Sequence, residues 1–187
     1  FETPVTQALY KAVTGDAPSH FEGPDRPVEQ VNWDDAKIFL DRINDHIPGL
    51  DLCLPSEAQW EYACRAGSTT PFEPTVARTH AGASLTPSEV NYDGNYPYGT
   101  AVKGKYREET LPVKSRGFRP NAWGLWQMHG SVWEWCEDAW QDSHEGAAPD
   151  GSPRPASQPV GETNRVLRGG SWYNDARYCR SAYRSGS

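Results

Sequence analysis

Sulfur is the first chemistry to weigh in this sequence. Cys53, Cys64, Cys136 and Cys179 stand at no zinc-like spacing and form no Cys-x-x-Cys pair. His20, His46, His80, His129 and His144 make no metal-binding pair by spacing, so a histidine-held iron has no support. Cys179 has a claim to reactivity because Arg177 and Arg180 flank it, and positive charge favours the thiolate. Its alternative is a buried structural thiol, the commoner role for a lone cysteine. Oxygen is the second chemistry. Glu134 in Gly130-Ser131-Val132-Trp133-Glu134, and Asn91 at the head of Asn91–Gly99, are of the donor type a hard cation such as calcium takes. Each has a plain alternative. Glu134 could hold backbone amides or an arginine, and the Asn and Asp side chains near Asn91 could satisfy consecutive turns, Asp93-Gly94 being a strong turn signal.

The terminal stretch, Arg165 to Ser187, offers contact area instead of a reactive group. Val166 and Leu167 precede Gly169 and Gly170, which let the backbone pass close to another segment. Beyond Trp172, aromatic, cationic and tiny residues alternate with neither a helical nor a strand period. Tyr173, Tyr178 and Tyr183 supply rigid surface; Asn174, Asp175, Ser181, Ser185 and Ser187 supply adaptable hydrogen bonds. A Tyr/Ser/Gly/Asn mixture is the composition of a paratope. A surface loop with a few structural arginines reads equally well from composition.

These residues need a frame. At 187 residues the chain fits one domain with a real core, and a net charge of -7 argues against nucleic acid and anionic membranes as partners. There is neither an apolar run able to span a bilayer nor a signal-peptide pattern, which favours the cytoplasm slightly. Eight Trp and nine Tyr with sixteen Pro and seventeen Gly suit a loop-rich fold stapled by aromatic packing. Thr6 caps a helix through Leu9 and Tyr10 to Val13, ended by Gly15. Asn32 and Asp35 open a second, with Ala36, Phe39, Leu40 and Ile43 on one face, closing near His46. Ser56 and Gln59 form the capping box of a third, where Trp60 and Cys64 share the buried face and Gly67 ends the run. Pro71 to Arg119 reads as irregular, and Ser143 to Asn164 as a polar, proline-punctuated loop. Trp33, Phe39, Trp60, Trp133, Trp135 and Val166 are the expected core.

Five motifs, taken in order, resemble the formylglycine-generating-enzyme-like (sulfatase-modifying-factor) domain. They are Pro27-Val-Glu-Gln-Val-Asn-Trp-Asp-Asp-Ala36, Leu54-Pro-Ser-Glu-Ala-Gln-Trp-Glu-Tyr-Ala63, Asn121-Ala-Trp-Gly-Leu-Trp126, Gly130-Ser-Val-Trp-Glu-Trp135 and Arg165-Val-Leu-Arg-Gly-Gly-Ser-Trp172. The resemblance implies an α+β, irregular, loop-rich C-type-lectin-like fold with few short helices and short antiparallel strands. It also implies that residues 1–187 form a single domain that lacks the family's first and last strands. One family calcium site maps to Asn91, but Lys105 stands where its carboxylate belongs. The other maps to Gly130, Ser131, Val132 and Glu134, with Ser131 in place of the usual asparagine and a weaker ligand than an amide. Formylglycine-generating enzymes bind copper(I) with two cysteines five residues apart. Here Cys179 matches one, and the position after it is Arg184, so no copper is expected and Cys179 is left as the residual catalytic candidate.

A second branch of the family comprises variable proteins of diversity-generating retroelements, in which adenines near the C-terminal coding end are randomised. Tyr173, Asp175, Tyr178, Tyr183, Ser185, Gly186 and Ser187 are all reachable from an AAC codon by changing adenines alone. Ala176, Cys179, Arg180, Ser181 and Ala182 then read as a fixed frame, with Trp172, Ala176, Cys179 and Ala182 pointing inward. The expectation is a module that binds a protein or other macromolecular ligand through this C-terminal face, with calcium the one cofactor implied. The alternative is a formylglycine-generating-enzyme-like oxidoreductase or biosynthetic accessory enzyme acting on a peptide.

Overall fold

In the computed structural model, which describes residues 1–156 and 163–187, the three helices begin where the caps require. Helix α1 (Gln7–Thr14) is capped by Thr6, whose side chain accepts from the Leu9 N–H, and stops at left-handed Gly15. Helix α2 (Trp33–His46) carries a reciprocal capping box between Asn32 and Asp35. Helix α3 (Glu57–Arg65) carries another between Ser56 and Gln59. Such boxes satisfy amide groups that the first helical turn leaves unpaired.

Helices α1 and α2 pack through Tyr10, Phe39, Leu40 and Ile43, with the Tyr10 and Phe39 rings stacked at 5.6 Å. Helix α3 packs Trp60 and Cys64 against Met128, Cys136 and Val166. That second cluster is the underside of a three-stranded antiparallel sheet, ordered β1 (Glu134–Ala139), β2 (Arg165–Arg168), β3 (Ser185–Gly186). A bulge between Trp135 and Ala139 interrupts the β1–β2 register. A third cluster has no α-helix or β-strand in it: Phe72, Val76, Leu85, Val90 and Tyr92 bury themselves inside the irregular 71–119 segment, together with Ala176 and Cys179 of the terminal stretch. The segment is held by turns such as that of Asp93, whose Oδ1 accepts from the Asn95 N–H at 3.0 Å.

Three expected core tryptophans lie only partly inside. Phe39, Trp60 and Val166 are buried, whereas Trp33, Trp133 and Trp135 are half-buried. The Trp33 and Trp135 indole N–H groups reach the carbonyls of Cys136 (3.0 Å) and Val31 (3.1 Å), and Arg165 lies 3.8 Å over the Trp33 ring. Amphipathic rings of this kind sit comfortably at a boundary. The expected loop from Ser143 to Asn164 is irregular where described, and its residues 157–162 lie outside the described residues.

Candidate functional site

The terminal stretch is fixed first by charge. Arg168, at the end of β2, is completely buried. Its Nη2 donates to Glu61 Oε2 at 2.5 Å and to the Ser181 carbonyl at 2.7 Å; its Nη1 donates to the Tyr183 carbonyl at 2.8 Å. Glu57, one turn before Glu61 on α3, lies 3.4 Å from Arg168 and takes Arg184 in a two-pronged pair at 2.5 and 2.8 Å. A planar guanidinium suits this fork geometry. The Gly169–Gly170 pair then turns with positive φ at both residues, and a Cβ on Gly170 would meet Cys179 Sγ at 2.9 Å. The close approach expected of these glycines is real.

On this frame the chain from Ser171 to Tyr183 lays out aromatic rings. Trp172 sits between Phe21 at 5.3 Å, Tyr106 at 6.1 Å and Tyr173 at 5.2 Å. Tyr173 is 52% exposed. Tyr178 and Tyr183 meet edge-on at 4.7 Å, and Tyr183 lies 6.2 Å from Trp133. Asp175 pairs with Arg177 at 2.7 Å, and Arg177 covers the Tyr178 ring. Between Trp172 and Trp133 opens a cleft of about 520 Å³ whose walls include Phe21, Val132, Trp133, Trp135, Trp172 and Tyr173. Neither Phe21 nor the cleft is legible in the sequence, whose pattern assigns Trp133 and Trp135 to the core.

The expected face divides in two. Tyr173 lines the cleft, Asp175 and Tyr178 belong to the short 3₁₀ turn Ala176–Cys179, and Tyr183 bridges Tyr178 to Trp133 of the cleft wall. Ser185 and Gly186 instead form β3, paired to Leu167 and Val166, and Ser187 exchanges backbone bonds with Arg165. A Cβ on Gly186 would meet the Trp140 ring at 2.8 Å, so that position has little room for exchange. Beneath the face, Ala176, Cys179 and Ser181 are fully buried. Trp172 is half-buried, and Ala182 is exposed instead of inward, because the anchored carbonyls on either side, of Ser181 and Tyr183, turn the chain toward Arg168.

Cys179 is completely buried. Burial pushes its thiol well above the usual range, with Asp175 adding to the effect. Its carbonyl receives the His129 Nδ1–H at 2.8 Å, while His129 Nε2 accepts from the Glu73 N–H at 3.1 Å, which fixes a neutral imidazole. Burial lowers that imidazole to about 4. Cys64, beside it, is pushed up to about 12 by burial. The five-residue spacing of a copper pair leads from Cys179 forward to Arg184 and backward to Asn174. Arg184 is held by Glu57, and Asn174 Oδ1 accepts from the Ser171 hydroxyl at 2.7 Å. Neither supplies a second thiolate, so this donor set does not fit copper(I).

The oxygen donors are better placed. The Ser131 N–H donates to the Asn91 carbonyl at 2.8 Å, bringing the two expected cation regions into contact. Gly130 permits this approach: a Cβ there would meet the Asn91 carbonyl at 2.4 Å. Asn91 Oδ1 and Ser131 Oγ are buried with no protein partner. Glu134 accepts from Trp60 Nε1 at 2.6 Å, and burial raises its carboxyl to about 7. Lys105 is exposed. Uncommitted oxygens are the donor kind a hard cation takes.

Comparison with known proteins agrees with this architecture. The formylglycine-generating enzyme of Streptomyces coelicolor is 36% identical over 162 residues, covering 83% of this chain and 45% of that protein. The enzyme of Thermomonospora curvata is 33% identical over 180 residues, covering 94% and 54%. This chain thus spans about half the length of the curated relatives it matches. Among solved structures, Treponema denticola variable protein 1 superposes with a TM-score of 0.71 at 28% identity, covering all of this chain and 77% of the other. PvdO from Pseudomonas aeruginosa superposes at 0.78, also at 28% identity, covering all of this chain and 72% of the other. The profile described as the sulfatase-modifying factor enzyme 1-like domain matches residues 2–187, and the chain belongs to that family.

Proposed function

We propose that this chain is a ligand-binding module that takes a protein or other macromolecular ligand on Tyr173, Asp175, Tyr178 and Tyr183 and in the aromatic cleft beside them. It does so without formylglycine-generating activity. The observation that carries this reading is the cleft itself, walled on one side by Trp172 and Tyr173 and on the other by Val132, Trp133 and Trp135. Rigid aromatic rings give contact area at low entropic cost, and a concave apolar site with few polar groups is the usual form of a binding site. Small buried residues underneath let the contacts above change without repacking the core. Similarity to the Treponema denticola variable protein supports the same reading. A nearby reverse transcriptase gene with a template repeat would extend it to diversification of these positions.

A calcium ion would be held by Glu134 with the carbonyls of Gly130 and Val132, and the free oxygens of Ser131 and Asn91 lie in the same region. Its part would be to brace the segment that forms one wall of the cleft.

The test of binding is a displayed peptide library panned against the domain. Peptides recovered at the cleft should lose about 2 kcal/mol or more when Tyr173 or Tyr178 becomes Ala, if either is a hot spot. Recovered binders indifferent to both changes would contradict the assignment. The enzyme reading rests on 36% identity to a formylglycine-generating enzyme. It is tested by mass spectrometry after incubation with copper(I), oxygen and a cysteine-containing peptide. The expected result is an unchanged peptide; loss of the thiol with gain of an aldehyde would put that reading first.

A further inference from the structure

A second surface, away from the terminal stretch, has the chemistry of a docking site. An open groove of about 470 Å³ runs between Pro74–Thr75 and Pro120–Ala122, with Arg78 and Arg119 on its walls. Both arginines are exposed. Among the described residues neither guanidinium has a counter-ion or hydrogen-bond partner, in a chain whose net charge is -7. The acidic residues nearest Arg78 in sequence are turned inward. Glu73 spends its carboxylate on the N–H groups of Thr75 (2.9 Å) and Val76 (3.1 Å) and on the Thr75 hydroxyl. Glu89 spends its own on the Thr79 N–H and hydroxyl, each at 2.8 Å, and on the Thr86 hydroxyl at 2.9 Å. Along its own segment, Arg78 therefore has no carboxylate free to neutralise it.

The wall continues into an aromatic anchor. Trp123 is 48% exposed and meets Tyr62, 68% exposed, edge-on at 4.8 Å. The Trp123 loop is not loose. Buried Asn121 donates to the Ala63 carbonyl at 2.8 Å, and its Oδ1 accepts from the N–H groups of Trp123 and Leu125, each at 3.0 Å. An exposed ring pair held on a fixed loop has already given up the ordering entropy that binding would otherwise cost, and Trp, Tyr and Arg are the residue types enriched at energetic centres of interfaces.

We infer that this groove docks an acidic peptide segment, its carboxylates on Arg78 and Arg119 and an apolar side chain on the Trp123–Tyr62 pair. Arginine forks suit carboxylates, and the acidic remainder of the surface disfavours such a segment elsewhere, which confines it to this groove.

The experiment measures fluorescence polarisation of a labelled glutamate-rich peptide with a single leucine, at low salt, against the whole chain. Its glutamine counterpart, phosphatidylserine vesicles and a single-stranded oligonucleotide are run in parallel. The expected result is saturable binding of the acidic peptide that falls about tenfold in the Arg78→Glu, Arg119→Glu double variant, where a rim charge is reversed. It should fall about tenfold or more in Trp123→Ala. Tyr178→Ala, which acts at the terminal face, should leave it unchanged, so the two surfaces fail or stand separately. Thermal melts that match the wild type show that the variants are folded. Absence of binding, equal binding of the glutamine peptide, or binding retained by the charge-reversed variant would overturn the inference. Binding confined to vesicles or oligonucleotide would assign the groove to a different partner and overturn it equally.

Discussion

Two parts of one terminal segment are built on opposite principles. At its ends, Arg168 and Arg184 reach Glu57 and Glu61 of α3, and these charge pairs join residues more than a hundred positions apart. In its middle, Tyr173 to Tyr183, the rings touch one another, Trp133 or flanking arginines, over a floor of Ala176, Cys179 and Ser181. Exchange a residue at the ends and a buried charge loses its partner; exchange one in the middle and a ring is lost from a half-open surface. On the proposed reading, a frame of the first kind is what allows a face of the second kind to vary.

Breaking the frame should give the largest effect. Arg168→Ala leaves Glu61 and two carbonyls without their buried donor, and should cost about 3–5 kcal/mol by denaturant unfolding. Tyr173→Ala, on the face, should stay within about 0.5 kcal/mol. Equal costs would erase the distinction.

Acid should come next. His129 is neutral in the fold and lowered to about 4, whereas an unfolded chain protonates it near 6.5. Its folded value is depressed, so acid favours the unfolded state. Stability is lost as pH falls from about 6.5 toward 4, by up to roughly 3 kcal/mol. Unfolding free energies measured across that window should show a slope that His129→Gln reduces. A slope identical in both proteins would mean that other groups carry it.

A smaller effect sharpens the boundary between the two parts. Gly170 has φ +74 and no room for a methyl beside Cys179 Sγ, so Gly170→Ala should cost about 1–3 kcal/mol. Tyr178→Ala should cost about 0.5–1.5 kcal/mol, the worth of its edge-on pairing with Tyr183 beyond simple burial. Melting curves of the two variants should rank in that order.

What was legible in the sequence follows from the range of the interactions. The helix caps at Thr6, Asn32 and Ser56 are local, three-residue signals, and all three formed. The buried residues of the 71–119 segment carry no period, since Phe72, Leu85 and Tyr92 enter the core from turns; the segment could be read as irregular but not as core. The Arg168 network joins β2 to α3 and the terminal turn, and no sequence pattern registers such a partnership. Its faint trace was Glu57 and Glu61 flanking Trp60 on an otherwise buried helix face. The seven adenine-reachable positions looked alike in sequence. Strand pairing by Ser185 and Gly186 divides them, and pairing across so short a strand has no period to detect.

The claim that an exchangeable face rests on a fixed frame is tested most directly by two display libraries compared for retained folding at rising temperature. One randomises Tyr173, Asp175, Tyr178 and Tyr183; the other randomises Arg168, Ala176, Cys179 and Ser181. The account predicts that most members of the first library stay folded at temperatures near the wild-type midpoint, while the second collapses to a few near-parental sequences. Comparable survival in the two libraries, or a first library as restricted as the second, would contradict it.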